Sequence, residues 1–530
     1  MEITPQKPFK EVRTWATLVV IAFTLLSAYE ARSESVVIGT KVSPSSMDPQ
    51  LGGLGSDQGY YRHIYDALFQ TDQDLVATPS LATDYKIIDD LTWEFHLRRN
   101  VHFHDGSEFD ANDVLFTFAR MGTVPGSDGL QEEKVRPIDR IEVLNPYKIR
   151  IHTKSPTPYL LKRLVDFWIL PDTLSKEVTT EQLNRGSAIG TGPFRLVEWK
   201  RGDQLTLNRN EDYWGDRPAF ERVVFKDMTN DATRVAALQS GDVDMIDYVP
   251  PLDTFRLNRM SNISVFSRQS VRVVFIQLNT LTAQDAKIRS NTGDPLPKNP
   301  LQDRRVRLAL KHAITKGLIT EKIMEGTASP ANQAIPAGYE GYASQISEDT
   351  YDPDLSRQLL SDAGFPNGFQ LTLSCPNDRY INDAIICQAV GQMWAQIGVR
   401  TEIETMPKAV YFSKMLGGEF SAYMLGWGNT RGDSISVLKN VIHSRGGPSG
   451  GGTWNASYSN AEVDAEIDRA ISLMDPSKRL SALEAIMVSA MNDVAMIPLH
   501  TQPVITATRV GLVYTPVPGE ETLAILLRPQ

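Results

Sequence analysis

Cysteine is scarce: 530 residues carry two, Cys375 and Cys387. That excludes a disulfide scaffold and a cysteine-rich metal protein. Positive charge is in deficit as well, with 54 Lys and Arg against 64 Asp and Glu. A nucleic-acid binder needs a basic stripe, so no nucleic-acid partner is expected. Long apolar runs are missing beyond one, Trp15 to Ala28, which is shorter than the ~20 residues that span a bilayer. There is no Gly-x-Ser-x-Gly nucleophile elbow. The glycine loop Gly446–Gly452 lacks the Gly-Lys-Ser/Thr ending of a phosphate cradle. No catalytic constellation emerges, and neither a cofactor nor a resident metal is expected.

What is present begins with a basic start, Lys7, Lys10 and Arg13, followed by the apolar run and then Ala31-Arg32-Ser33. These are the three parts of an export signal. The expected cleavage follows Ser33, so residues 1–33 are read as a signal peptide and the remainder as soluble and exported. In an oxidising compartment Cys375 and Cys387 can pair if their Cα atoms come within ~7 Å; two buried thiols are the alternative.

Beyond residue 34 the pattern alternates short strands and helices, which predicts an α/β fold. Val36–Thr40 suits a buried strand, and Trp93, Phe95 and Leu97 alternate as a half-buried one. Asp110 with Asp113 resembles a capping box ahead of Val114 and Phe118. Hairpins are expected at Ile141–Ile151 and Phe194–Asn208, a helix at Ala232–Gln239, and a strand at Val271–Leu278. The later half repeats the style, with Gln370–Ser374 a strand, Asn382–Ile397 a helix and Val399–Glu404 a strand. The Pro-rich stretch 290–300 reads as a loop near a lobe boundary.

Five ordered segments carry a resemblance. They are Pro79–Tyr85 through Phe109–Val114; Gly190-Thr-Gly-Pro-Phe194 with Tyr213-Trp214; Gln277-Leu-Asn279 with Asp303–Leu310; Tyr351-Asp-Pro353 through Gly398-Val399; and Tyr458-Ser-Asn460 with Val463-Asp464. Together they resemble the bacterial extracellular solute-binding proteins of family 5, the peptide-, nickel- and opine-binding group.

The resemblance implies a two-lobed periplasmic binding protein, class II-like and of cluster C, that feeds an ABC importer. Lobe I would hold 34–277 plus 501–530, including an extra subdomain at about 61–189, and lobe II would hold 278–500. The expected partners are a small-molecule ligand and an inner-membrane ABC permease with separate ATPase subunits, the chain itself being a monomer in the periplasm.

Site residues follow by the same resemblance. Arg379, between a strand and a helix, looks equivalent to the arginine that grips a ligand carboxylate. Trp427 looks like the cleft tryptophan. Where dipeptide binders carry an aspartate for the α-ammonium group this sequence has Thr430, so Asn429, Thr430 and Asp433 would bond hydroxyls or amides instead. Ser43 and Ser45 would donate from the loop after the first strand, with Trp454 and Asn455 as further contacts. A small peptide-like or opine-like carboxylated solute fits this set. The alternatives are a nickel- or haem-binding member, recruiting His102, His104 and His443, and a secreted hydrolase.

Overall fold

The computed structural model describes residues 35–52, 55–127, 134–174, 177–428, 430–446 and 450–530. The expected signal segment, 1–33, lies outside the described residues.

One mixed sheet of eleven strands runs through both halves of the molecule. From one edge its order is Arg400–Met406, Gln370–Pro376, Ala422–Trp427, Ile263–Leu278, Ile497–Arg509, Met245–Ile246, Ser35–Thr40, Arg222–Asp227, Gln204–Arg209 and Phe194–Lys200. The short Ser329–Pro330 pairs with Ile497–Arg509 off that path. The two long central strands, Ile263–Leu278 and Ile497–Arg509, are antiparallel and bridge the halves. They pair from Ile263 with Arg509 to Gln269 with Pro503, lose register, and pair again from Val273 with Thr501.

Buried side chains sort to either side of that break. Two clusters draw on residues from Val273 to Leu499. The others draw on Val36 to Ile263 and, returning from the tail, Ile505 to Leu527. The molecule therefore has two lobes, each with its own core. Lobe II is one continuous stretch; lobe I is closed by the C-terminal tail.

Local chemistry sets the elements. Asp110 caps the helix Ala111–Met121 and Asp113 reciprocates to the Asp110 backbone, satisfying two donors that a helix start leaves bare. Asn230 opens the helix Asp231–Ser240, and Gly241 ends it at φ 83°, a left-handed turn that costs glycine little. The strand expected at Val271–Leu278 is longer, beginning at Ile263. Its first half mixes polar and apolar residues, and its partner lies more than 230 residues on, so no local period announces it.

Within lobe I, a four-stranded antiparallel sheet orders Ala82–Asp89, Thr92–Leu97, Lys148–Thr153 and Ile138–Asn145. It packs with Ala111–Met121 around a separate cluster running from Leu68 to Ile169. The short helix Leu160–Leu164 belongs to this layer and faces lobe II. Tyr159, just before it, packs on a lobe II cluster, and Met474 of lobe II packs back on the lobe I layer. The lobes are thus in contact across the cleft.

Three histidines are held neutral by burial. Loss of water lowers the imidazoles of His63, His104 and His500 to about 4. Because the folded value lies below the unfolded one of about 6.5, their stabilising contribution is complete above pH 6.5 and is lost as pH falls through 4. Histidine-resolved NMR titration should give midpoints near 4 at all three rings. A midpoint near 6.5 at any of them would show that its ring reaches water.

Candidate ligand cleft

The first wall of the cleft is the loop carrying Arg379. Strand Gln370–Pro376 delivers it and helix Asp383–Ala395 follows it. Cys375 on the strand is bonded to Cys387 on the helix, with Cα atoms 6.7 Å apart, so the two flanks are tied covalently. The Asp383 carboxylate accepts the backbone N–H groups of Arg379 and Tyr380, each at 3.0 Å. Tyr380 in turn locks onto the neighbouring strand, its hydroxyl accepting from the Gly426 N–H at 2.8 Å. A side chain at Gly426 would run into the Tyr380 ring, since a Cβ there would lie 2.7 Å from it. The Arg379 backbone is therefore fixed at both ends, and its half-buried guanidinium lies 5.2 Å from the Tyr380 ring centre.

Opposite stands a wall from lobe I. Asp247, Tyr248, Glu520 and Thr522, with Pro503, Val504 and Ile505, line a small pocket there. Tyr248 and Glu520 both take left-handed backbone, at φ 45° and 67°. Such strain costs of order 1–3 kcal/mol per residue and gathers at functional sites. Arg272 holds Glu520 through its Nε (2.9 Å) and terminal nitrogen (2.7 Å), and Gln502 donates to the same carboxylate at 3.0 Å. Burial pushes the Glu520 carboxyl up, but the Arg272 charge overcomes this and keeps it below the usual range, with Arg379 adding to the effect. Asp247 accepts from the Lys41 N–H (2.8 Å) and the Thr522 hydroxyl (3.0 Å), and burial lifts its carboxyl to about 6 against the pull of Arg234. None of these lobe I residues was marked out in the sequence by a motif of its own. Turn signals at Val249-Pro250-Pro251 and Pro518-Gly519 were there, but chain separations above 240 residues hid the juxtaposition.

One residue past Gly426, Trp427 donates through its indole to Ser436 Oγ at 3.2 Å and meets Trp454 edge-on at 6.0 Å. Trp454 also packs against Phe412 at 5.4 Å. Both indoles are half-buried against a lobe II cluster. Thr430 reaches lobe I, where a Cβ added to Gly519 would lie 3.0 Å from its methyl. Asn429 lies outside the described residues.

Three candidates are engaged elsewhere. Asn455 is 1% exposed; its amide donates to three backbone carbonyls and accepts two backbone N–H groups, so it fastens its own loop. Ser45 bonds Asp57 through both its backbone N–H and its hydroxyl. Asp433, 4% exposed, caps the turn at Ile435 and Ser436. Ser43 remains half-buried on the loop after Ser35–Thr40.

Asp433 also takes part in the ion network that joins the lobes. Its backbone forms an isolated bridge with Glu340, setting two carboxylates side by side. Lys162, from the lobe I helix Leu160–Leu164, places its ammonium 2.6 Å from Glu340 and 3.3 Å from Asp433. Arg479 lies 3.6 Å from Glu340, and Arg431 3.7 Å from Asp166 of lobe I. Beside these groups is a small pocket, with Tyr159 and Lys162 on one side and Arg431, Ser436 and Lys439 on the other.

The histidines considered for a metal do not converge. His104 bonds the Gly192 carbonyl and the Gly190 N–H in lobe I, and exposed His102 bridges to Glu108. His443 is buried in lobe II, 3.3 Å from Asp468. Among the described residues no group of three or more His, Cys, Asp or Glu is arranged to hold a metal ion.

Two lobes, each with its own core, joined by two crossing strands and enclosing a charged cleft, define a solute-binding protein. The family described as bacterial extracellular solute-binding proteins, family 5, matches residues 77–449, and the chain belongs to it. Heme-binding protein A of Haemophilus influenzae is 27% identical over 89% of this chain and 88% of its own. The dipeptide-binding protein of Escherichia coli is 26% identical, covering 78% of this chain and 79% of its own. Among solved structures, the binding protein AgaA from A. tumefaciens R10 in complex with agropinic acid superposes with a TM-score of 0.77 at 23% identity, over 94% of this chain and 99% of its own. Among the described residues no helix is long and apolar enough to cross a membrane.

Arg272 and Glu520 are both largely buried, at 13% and 7% side-chain exposure. Replacing Glu520 with Ala strands the guanidinium, so urea denaturation should show a loss of about 3–5 kcal/mol. A loss below ~1 kcal/mol would mean that the pair is solvated.

Proposed function

We propose that the chain captures a small peptide-like or opine-like carboxylated solute between its lobes and passes it to an ABC permease driven by separate ATPase subunits. The observation that carries this reading is Arg379, whose backbone Asp383 holds in place and whose half-buried guanidinium carries charge toward Glu520 of lobe I. A guanidinium fork matches a carboxylate bidentately. A ligand touching Arg379 and the lobe I wall makes more contacts in the closed form, and that difference in affinity shifts the population toward closure. Trp427 and Trp454 supply a flat apolar flank, and Thr430 a hydroxyl.

The same reading places the protein in the periplasm as a monomeric, non-enzymatic receptor. Its relatives are named for haem and for a dipeptide, and a structural neighbour is solved with agropinic acid. The separated histidines favour the carboxylate class over haem or nickel. We place the lobe crossings at the register break, near 270–272 and 502, a few residues from the 277/278 and 500/501 limits expected from sequence.

Thermal-shift screening of peptides, opines, glycosides and metals should yield carboxylated hits, because ligand binding raises the melting point by mass action. For such a hit, Arg379→Ala should weaken binding by about 1.5–3 kcal/mol in calorimetry, the scale of a charged hydrogen bond. Unchanged affinity would remove Arg379 from the site.

A further inference from the structure

The ion network at the Trp427 end has an uneven construction. Glu340 and Asp433 stand side by side because their backbones bridge: the Glu340 N–H donates to the Gly432 carbonyl and the Ser434 N–H to the Glu340 carbonyl. Two carboxylates in that position repel one another and call for a cation. Lobe II itself brings Arg479 to Glu340 at 3.6 Å. The closer cation comes from the other lobe, as Lys162. Asp433 is 4% exposed and Lys162 23%, so the contact is shielded. Burial pulls the Lys162 ammonium down, yet Asp433 and Glu340 together hold it above its ordinary range. The backbone is shaped for the approach. Gly432 sits at φ 65°, and a Cβ there would lie 3.1 Å from the Leu75 carbonyl of lobe I.

We propose that Lys162 is a built-in ammonium group that docks on the Glu340–Asp433 carboxylate pair on closure and so excludes ligands bringing an ammonium of their own to that pair. This rests on the carboxylated-solute reading above and narrows it. Opening the lobes withdraws Lys162 and leaves Glu340 and Asp433 facing the cleft. A ligand ammonium seated there must then compete with Lys162, and in the closed form it meets the Lys162 charge at the same pair. A ligand with a neutral group there lets Lys162 dock. Its carboxylate remains available to Arg379.

The test uses the full mature chain, wild type and Lys162→Gln, with Lys162→Arg as the charge-preserving control. Probes are alanyl-phenylalanine and N-acetyl-alanyl-phenylalanine, which present a free ammonium and a neutral acetamide respectively at the amino end. Wild type and Lys162→Arg should prefer the acetylated probe by about tenfold or more, and Lys162→Gln should erase or invert that preference, as expected when one unmatched charge sets specificity. A wild-type preference for the free amine, or an unchanged preference in Lys162→Gln, overturns the proposal. Ligand-free small-angle scattering provides a second readout that needs no ligand. Lys162→Gln should shift the population toward the open form, and an unchanged curve also overturns the proposal. If neither probe binds wild type, the peptide-like reading of the preceding section fails, while the scattering result still decides the role of Lys162.

Discussion

Arg272 sits where the two crossing strands lose register, between Gln269 and Val273, and there it meets Glu520. A paired ladder would be stiff at this point; the break frees the backbone and would leave polar groups to be satisfied some other way. There the Val271 N–H donates to the Pro518 carbonyl and the Arg272 N–H to the Ser270 hydroxyl, with the ion pair anchored beside them. Glu520 comes from the tail of lobe I, Arg272 from the crossing itself, and another Arg272 nitrogen reaches the Gly426 carbonyl of lobe II at 3.2 Å. One guanidinium thus ties both lobes and the tail at the pivot. The position of the lobe I wall relative to Arg379 depends on it.

Much of this architecture was readable in advance. The capping box at Asp110, the Gly241 stop and the hairpin at Phe194–Asn208 are local in cause, and local patterns report them. The setting of Arg379, a turn between strand Gln370–Pro376 and helix Asp383–Ala395, was also readable. The half-strand from Ile263 and the Tyr248–Glu520 wall were not. Both arise from pairings between segments more than 230 residues apart, and neither carries a period or motif of its own. Asn455 and Ser45 show the converse. Their residue types suit ligand contact, but the fold had already used their hydrogen bonds.

The cleft joins two kinds of electrostatic arrangement. At the pivot, Arg272 and Glu520 neutralise one another, and Arg379 is the charge we propose meets a solute. At the Trp427 end, the anionic pair belongs to one lobe and a counter-ion to the other. Attraction across the second arrangement is realised only on closure, so it contributes to the conformational equilibrium as a ligand does.

The tail that closes lobe I also sets the order in which the chain matures. Lobe II is complete once the residues from Val273 to Leu499 have been made. Lobe I, which holds the first strand, waits for Ile505, Tyr514 and Leu527 before its core is whole. Domains generally fold as units, the N-terminal one first during synthesis. Here the lobe begun first is finished last, and until then its apolar faces depend on whatever shields a half-made chain.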